Sequence, residues 1–78
     1  MNPSPPITTI KFGVPEETTV SVSIYDLRGR KVEDIFLGQK NLGYHMTTWD
    51  ASHYSSGIYF VRFISPHFNS IKKIMLVK

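Results

Sequence analysis

Asp50, His53, Ser55 and Ser56 are the residue types of a hydrolase triad, in which a carboxylate orients an imidazole that takes the proton of a hydroxyl nucleophile. Their spacing argues against that chemistry. Crowded into one short stretch, they have no strand-to-helix elbow to expose the hydroxyl and no backbone oxyanion hole, and polar residues in such loops ordinarily bond their own backbone. His45, His53 and His67 raise a second chemistry, metal binding, but no HxH or HExxH spacing occurs. The absence of cysteine removes thiolate ligands, a cysteine nucleophile and a disulfide scaffold together. The five glycines are isolated rather than gathered in a phosphate-cradling loop. No catalytic, metal or cofactor-binding residue is therefore assigned, and the chain is expected to be non-enzymatic.

The charge is unevenly placed. Nine Lys plus Arg against six Asp plus Glu give +3, yet residues 1–61 are nearly neutral, whereas residues 62–78 carry Arg62, Lys72, Lys73 and Lys78 with no side-chain acid. Such an end attracts polyanionic sugar or lipid headgroups, or serves as a strand edge on which lysine blocks unwanted pairing. Tyr59, Phe60, Arg62, Phe63 and Lys73 are the residue types of a stacking platform for single-stranded nucleic acid. Core filling explains the aromatics better, and Lys72 and Lys73, adjacent in a strand, point to opposite faces. Nucleic acid is not an expected partner.

The elements that must position these residues are strands. A chain of 78 residues has room for one domain, since its folded form hides only roughly 60% of the unfolded surface. No apolar run approaches the ~20 residues needed to span a bilayer. Residues 1–6, with three prolines, read as an extended linker from an upstream parent chain, and residues 7–78 as the domain. Ile10 and Phe12 define a first strand closed by a Gly13-Val14-Pro15-Glu16 turn. Val20, Val22 and Ile24 alternate with hydroxyl residues in a second. Asp26 to Gly29 reads as a tight hairpin turn, with Gly29 supplying a positive φ. Val32, Ile35 and Phe36 fit a helix or a bulged strand, and the strand is the expectation. Gly38 and Asn41-Leu42-Gly43 mark the next turn, Trp49 belongs to the core, and Gly57 opens a central strand through Ile64. Ser65-Pro66-His67 leads into a last strand, Phe68 to Val77. The six expected strands, separated by turn residues, argue for an all-β, antiparallel sandwich of six to seven strands, immunoglobulin-like or fibronectin type III-like. The alternative is a closed barrel of the oligonucleotide-binding kind.

The final strand is the odd one. Ile74 and Leu76 lie on one face and Met75 and Val77 on the other, so the end of the chain is apolar both ways. A terminal strand of a two-sheet sandwich buries one face only. Its second face is expected to be covered by a neighbour or read by another protein through edge addition or an apolar groove.

Taken in order, Asn2-Pro3, Thr8-Thr9-Ile10-Lys11-Phe12, Ile24-Tyr25-Asp26-Leu27-Arg28-Gly29-Arg30-Lys31-Val32, Gly43-Tyr44-His45 with Thr48-Trp49-Asp50, Ser56-Gly57-Ile58-Tyr59-Phe60-Val61-Arg62 and Lys73-Ile74-Met75-Leu76-Val77-Lys78 resemble the type A C-terminal sorting domain of type IX secretion systems. The pattern is also similar to the Ig-like domain of flagellar hook-capping proteins. The resemblance implies a β-sandwich appended to a larger secreted or cell-surface protein of a Gram-negative bacterium. It implies passage through the periplasm, recognition by the outer-membrane translocon, and cleavage that releases the cargo or attaches it to anionic lipopolysaccharide. It further implies that Lys73 to Lys78 match the family's recognition segment, Gly29, Gly43 and Gly57 its turn glycines, and Trp49 and Tyr59 its core positions. Ala51 stands where the family often has Gly, Tyr54 where it usually has Leu, and Pro5 and Ile7 where Asn and Thr are commoner.

The leading expectation is a non-enzymatic sorting module that presents its final strand, with Lys72, Lys73, Ile74, Met75, Leu76, Val77 and Lys78 as candidate partner-binding residues. Its partners would be an outer-membrane translocon protein and a cargo in the same chain. The alternatives are a structural Ig-like spacer or carbohydrate-associated accessory domain, and polyanion binding through Arg62, Lys72, Lys73 and Lys78.

Overall fold

The computed structural model describes residues 7–77, which form six antiparallel strands and no helix. The strands are β1 (Ile7–Val14), β2 (Thr18–Asp26), β3 (Lys31–Lys40), β4 (Gly43–Asp50), β5 (Gly57–Ile64) and β6 (Asn69–Leu76). The expected linker, residues 1–6, and Lys78 lie outside the described residues. β1 pairs with β4, and the other four strands form a second sheet in the order β3-β2-β5-β6. This is the antiparallel sandwich that the strand pattern predicts, and β5, held between β2 and β6, is the central strand expected of the Gly57–Ile64 run.

Alternation decides which side chains meet. In β2, Val20, Val22 and Ile24 are fully buried, and the matching set on β5 is Tyr59, Val61 and Phe63. Ile10, Phe12 and Val14 of β1 and Trp49 of β4 complete the core from the smaller sheet. Two expected turns end differently. Gly13 and Val14 belong to β1 rather than to its closing turn, because Val14 has a core position to fill. Gly38 lies inside β3 opposite Val20, where the Phe36 ring sits 3.2 Å from the place a Cβ would occupy. An aromatic ring thus covers the gap that the missing side chain leaves.

The ambiguous spacing of Val32, Ile35 and Phe36 has a definite cause. Along β2 the partner of Val22 is Phe36 but that of Ser23 is Asp34, and the partner of Ile24 is Glu33 but that of Tyr25 is Lys31. Ile35 and Val32 are therefore the extra residues of two bulges, which let all three apolar side chains pack against the core despite a helix-like interval.

Trp49 is the centrepiece of the packing between sheets. Its ring meets Tyr59 edge-on at 5.3 Å and Tyr54 at 5.5 Å. A buried indole N–H needs an acceptor, and Trp49 Nε1 donates to Glu33 Oε1 at 3.1 Å. The Tyr54 hydroxyl lies 3.0 Å from the same carboxylate oxygen and 3.2 Å from the Val32 carbonyl. Burial, followed by the Glu33 carboxylate, raises the Tyr54 phenol above its ordinary pKa and keeps it a donor. The loop thus uses Tyr54 as part of the core. Ala51 is fully buried, and no residue but glycine has a positive φ among the described residues, so alanine fits there without strain.

The β2–β3 hairpin is built on Asp26. Its Oδ1 accepts the Arg28 and Arg30 amides, both at 2.9 Å, and Oδ2 lies 3.3 Å from Arg30 Nε. Gly29 takes φ +86° within this turn, as expected. The Arg30 amide first, then the Arg28 amide and the Arg30 charge, hold the Asp26 carboxyl below the ordinary range. The Ser23 hydroxyl, then Lys31, do the same for Asp34.

Three outcomes follow. Gly29→Ala meets no neighbour within 4 Å, so its cost is backbone strain alone, about 1–2 kcal/mol in urea unfolding. Glu33→Ala strips the buried indole of its acceptor and costs about 1–3 kcal/mol by the same measurement. Because the Asp26 and Asp34 pKa values are depressed on folding, their contribution is complete above the unfolded value near 4 and is lost as pH falls below it. A thermal melting series from pH 6 to pH 2 should show that loss, and the Asp26→Asn variant should show less of it.

Candidate functional site

The final strand is built from its turn outward. Ser65 is buried; its backbone N–H donates to the Phe68 carbonyl at 2.9 Å, while its Oγ accepts the His67 and Phe68 amides. That cap delays the strand to Asn69, one residue later than expected, and it ends at Leu76 rather than Val77. Among the described residues β6 pairs only with β5, placing Leu76 opposite Gly57, Ile74 opposite Tyr59 and Lys72 opposite Val61. The inward row is therefore Ser70, Lys72, Ile74 and Leu76. Leu76 is 4% exposed and Ile74 packs against the core. On the outward row Met75 is 66% exposed and Ile71 64%, and Val77 beyond the strand is 75% exposed. The two-sided apolar character seen in the sequence thus divides into an anchored row and a solvent-facing row. No strand pairs with the outer edge of β6 among the described residues.

The cations divide as well. Lys73 and Arg62 lie on the outward face, opposite Phe60 and Ile71 respectively. Lys72 faces the other way, and its ammonium donates to the Lys11 carbonyl at 3.4 Å, linking β6 to β1 across the two sheets. Lys78 lies outside the described residues. Among the proposed stacking residues, Tyr59 and Phe63 point into the core and Phe60 points out, so the two faces share them.

Of the loop residues Asp50, His53, Ser55 and Ser56, Asp50 and the Ser55 backbone have contacts that hold local structure. Asp50 Oδ1 accepts the Ser52 amide at 3.0 Å and the Ser55 carbonyl accepts the Tyr59 hydroxyl at 2.8 Å, while the side chains of His53, Ser55 and Ser56 are exposed. His45 packs its ring 5.7 Å from Phe12, and its Nε2–H donates to the Asn41 carbonyl at 2.7 Å. No group of three or more metal-ligating side chains assembles among the described residues. Of the candidate structural positions, Trp49 and Tyr59 are buried, and Gly43 and Gly57, like Gly29, have positive φ.

One feature is absent from the sequence reading: an open groove of about 340 Å³ on the outward face of the larger sheet, formed by Tyr25, Leu27, Phe60, Arg62 and Ile71. The Arg62 guanidinium lies 5.9 Å from the Tyr25 ring centroid. Phe60 and Arg62 alternate along β5, but their meeting with Tyr25 and Ile71 depends on strand pairing and carries no local signal.

A family model described as a secretion system C-terminal sorting domain matches residues 2–78, nearly the whole chain. Neither the curated proteins nor the solved structures yield a match. Sorting tails of this kind imply a cargo protein and a secretion machinery, belong to secreted or cell-surface proteins, and are not known to be catalytic. No helix among the described residues is long and apolar enough to cross a membrane. An all-β sandwich whose last strand closes one edge of its larger sheet, matched from Asn2 to Lys78 by that model, belongs to the type IX secretion C-terminal sorting domain family.

Proposed function

We propose that this domain sorts its cargo by offering β6 and the residues after it to a protein of the outer-membrane translocon, during a transient passage through the periplasm. The reading is supported chiefly by the split character of the strand. Ile74 and Leu76 hold it on the sandwich, while Met75 and Val77 are exposed and the outer edge is unpaired among the described residues. An edge strand of this kind supplies main-chain hydrogen bonds for affinity and alternate side chains for selectivity. Lys73, on the same row as Met75, discourages pairing with unrelated strands. The domain is a handle in this reading and performs no reaction, with residues 1–6 connecting it to the cargo. Its relation to the Ig-like domain of hook-capping proteins rests on the shared residue pattern.

Removing Ile74 to Lys78 from a cargo fusion should abolish export, but that deletion also takes away the buried Leu76. Two point variants separate recognition from folding. Leu76→Ala empties a core position and should cost about 2–5 kcal/mol in urea unfolding. Met75→Glu with Val77→Glu changes only exposed side chains and should leave unfolding within about 0.5 kcal/mol of the parent, while cutting the secreted fraction of the fusion severalfold. Normal secretion of the double variant would remove the role assigned to the outward row, and normal secretion of the truncated fusion would remove the role of the strand.

A further inference from the structure

The groove on the outward face of the larger sheet stands apart from the outer edge of β6. Tyr25 comes from the end of β2, Leu27 from the hairpin turn, Phe60 and Arg62 from β5 and Ile71 from β6, so three neighbouring strands and one turn contribute to a single concavity. Its surface is mainly aromatic and aliphatic, and Leu27 and Ile71 are more than half exposed. The charge around it is unbalanced. Asp26, the acid at the groove, has both carboxylate oxygens engaged by Arg28 and Arg30 within the turn. Arg62 has no carboxylate within ion-pair distance among the described residues, and Lys73 adds a second cation on the same face. The Arg62 guanidinium sits by the Tyr25 ring, where its planar fork remains open to a carboxylate.

We propose that this groove binds an acidic segment of a partner protein, seating a large apolar side chain on Tyr25, Phe60 and Ile71 and pairing the neighbouring carboxylate with Arg62. Charge complementarity selects the occupant: an uncompensated guanidinium beside an apolar floor matches a carboxylate flanked by a hydrophobe. A bilayer surface is the poorer match, because recognition of anionic lipid ordinarily takes clusters of about four to eight cations, whereas the described strands put Lys31, Arg62 and Lys73 on this face and Lys31 is already paired with Asp34.

The test is an amide NMR titration of the labelled chain with three probes: a capped peptide alternating phenylalanine and aspartate, the same peptide with asparagine for aspartate, and vesicles containing phosphatidylglycerol. The aspartate peptide should shift the amides of Tyr25, Leu27, Phe60, Arg62 and Ile71 in a saturable way. Arg62→Gln and the asparagine peptide should each weaken binding about fivefold or more, the range expected for a charge-assisted pair at a partly exposed site. Ile71→Glu should abolish binding. Both positions are exposed, and retention of the parent spectrum outside the groove verifies that the variants fold. Equal affinity for the two peptides, shifts centred elsewhere, or a response to vesicles alone would each overturn the proposal. Since the readout is binding in solution, it can fail while export still depends on the final strand, and the reverse also holds.

Discussion

The molecule depends on one act of burial: a two-stranded sheet must seal the apolar face of a four-stranded one. Ile10, Phe12, Val14 and Trp49 supply the smaller side, and Val20, Val22, Ile24, Tyr59, Val61 and Phe63 most of the larger. Trp49 carries an outsized share of the closure because it reaches Tyr54 and Tyr59 and is tied to Glu33 on the far sheet. A large apolar ring with a single satisfied donor fixes position as well as contributing area. On the opposite side, Lys72 reaches the Lys11 carbonyl and partly bridges the gap between β6 and β1.

Size mismatch between the sheets shapes everything at the margins. β3 and β6 are the edges of the larger sheet, and each handles its position differently. β3 is distorted by two bulges, so that Val32, Ile35 and Phe36 turn toward the core, and such distortion hinders pairing with another strand. β6 has no register shift against β5 and keeps a straight outer edge. Of the two edges of the larger sheet, the regular one is thus the last strand in sequence order, and the bulged one is the partner of β2 in the hairpin.

Two loop residues that depart from the pattern expected of the resemblance, Ala51 and Tyr54, have a clear place in the packing. Ala51 is fully buried with an ordinary backbone, so no left-handed conformation is required there. Tyr54 keeps its ring against Trp49 and uses its hydroxyl on Val32 and Glu33. In the loop that holds Asp50, His53, Ser55 and Ser56, the Asp50 carboxylate accepts the Ser52 amide and the Ser55 carbonyl accepts the Tyr59 hydroxyl, contacts that tie the turn from β4 to β5 to its neighbours.

Strand identity was legible in the sequence wherever apolar side chains alternate strictly, as in Val20, Val22 and Ile24, because a period of two leaves only one way to bury them. The Gly29 turn was legible for an equally local reason, since few residues other than glycine accept φ +86°. Local pattern failed at Gly38, which reads as a turn but lies inside β3 with the Phe36 ring covering it, whereas the bulged strand expected of Val32, Ile35 and Phe36 does form, its two bulges placed by the register against β2. The double apolar character of the tail was visible, but its division into an anchored Leu76 and an exposed Met75 and Val77 was decided by β6 having only β5 beside it. The sequence shows Phe60 and Arg62 as an aromatic beside a cation, but not the groove that they form with Tyr25 and Ile71. Phe60 and Arg62 are neighbours along β5, but Tyr25 and Ile71 are far from them in the chain, and only the pairing of three strands brings the four outward side chains to one place.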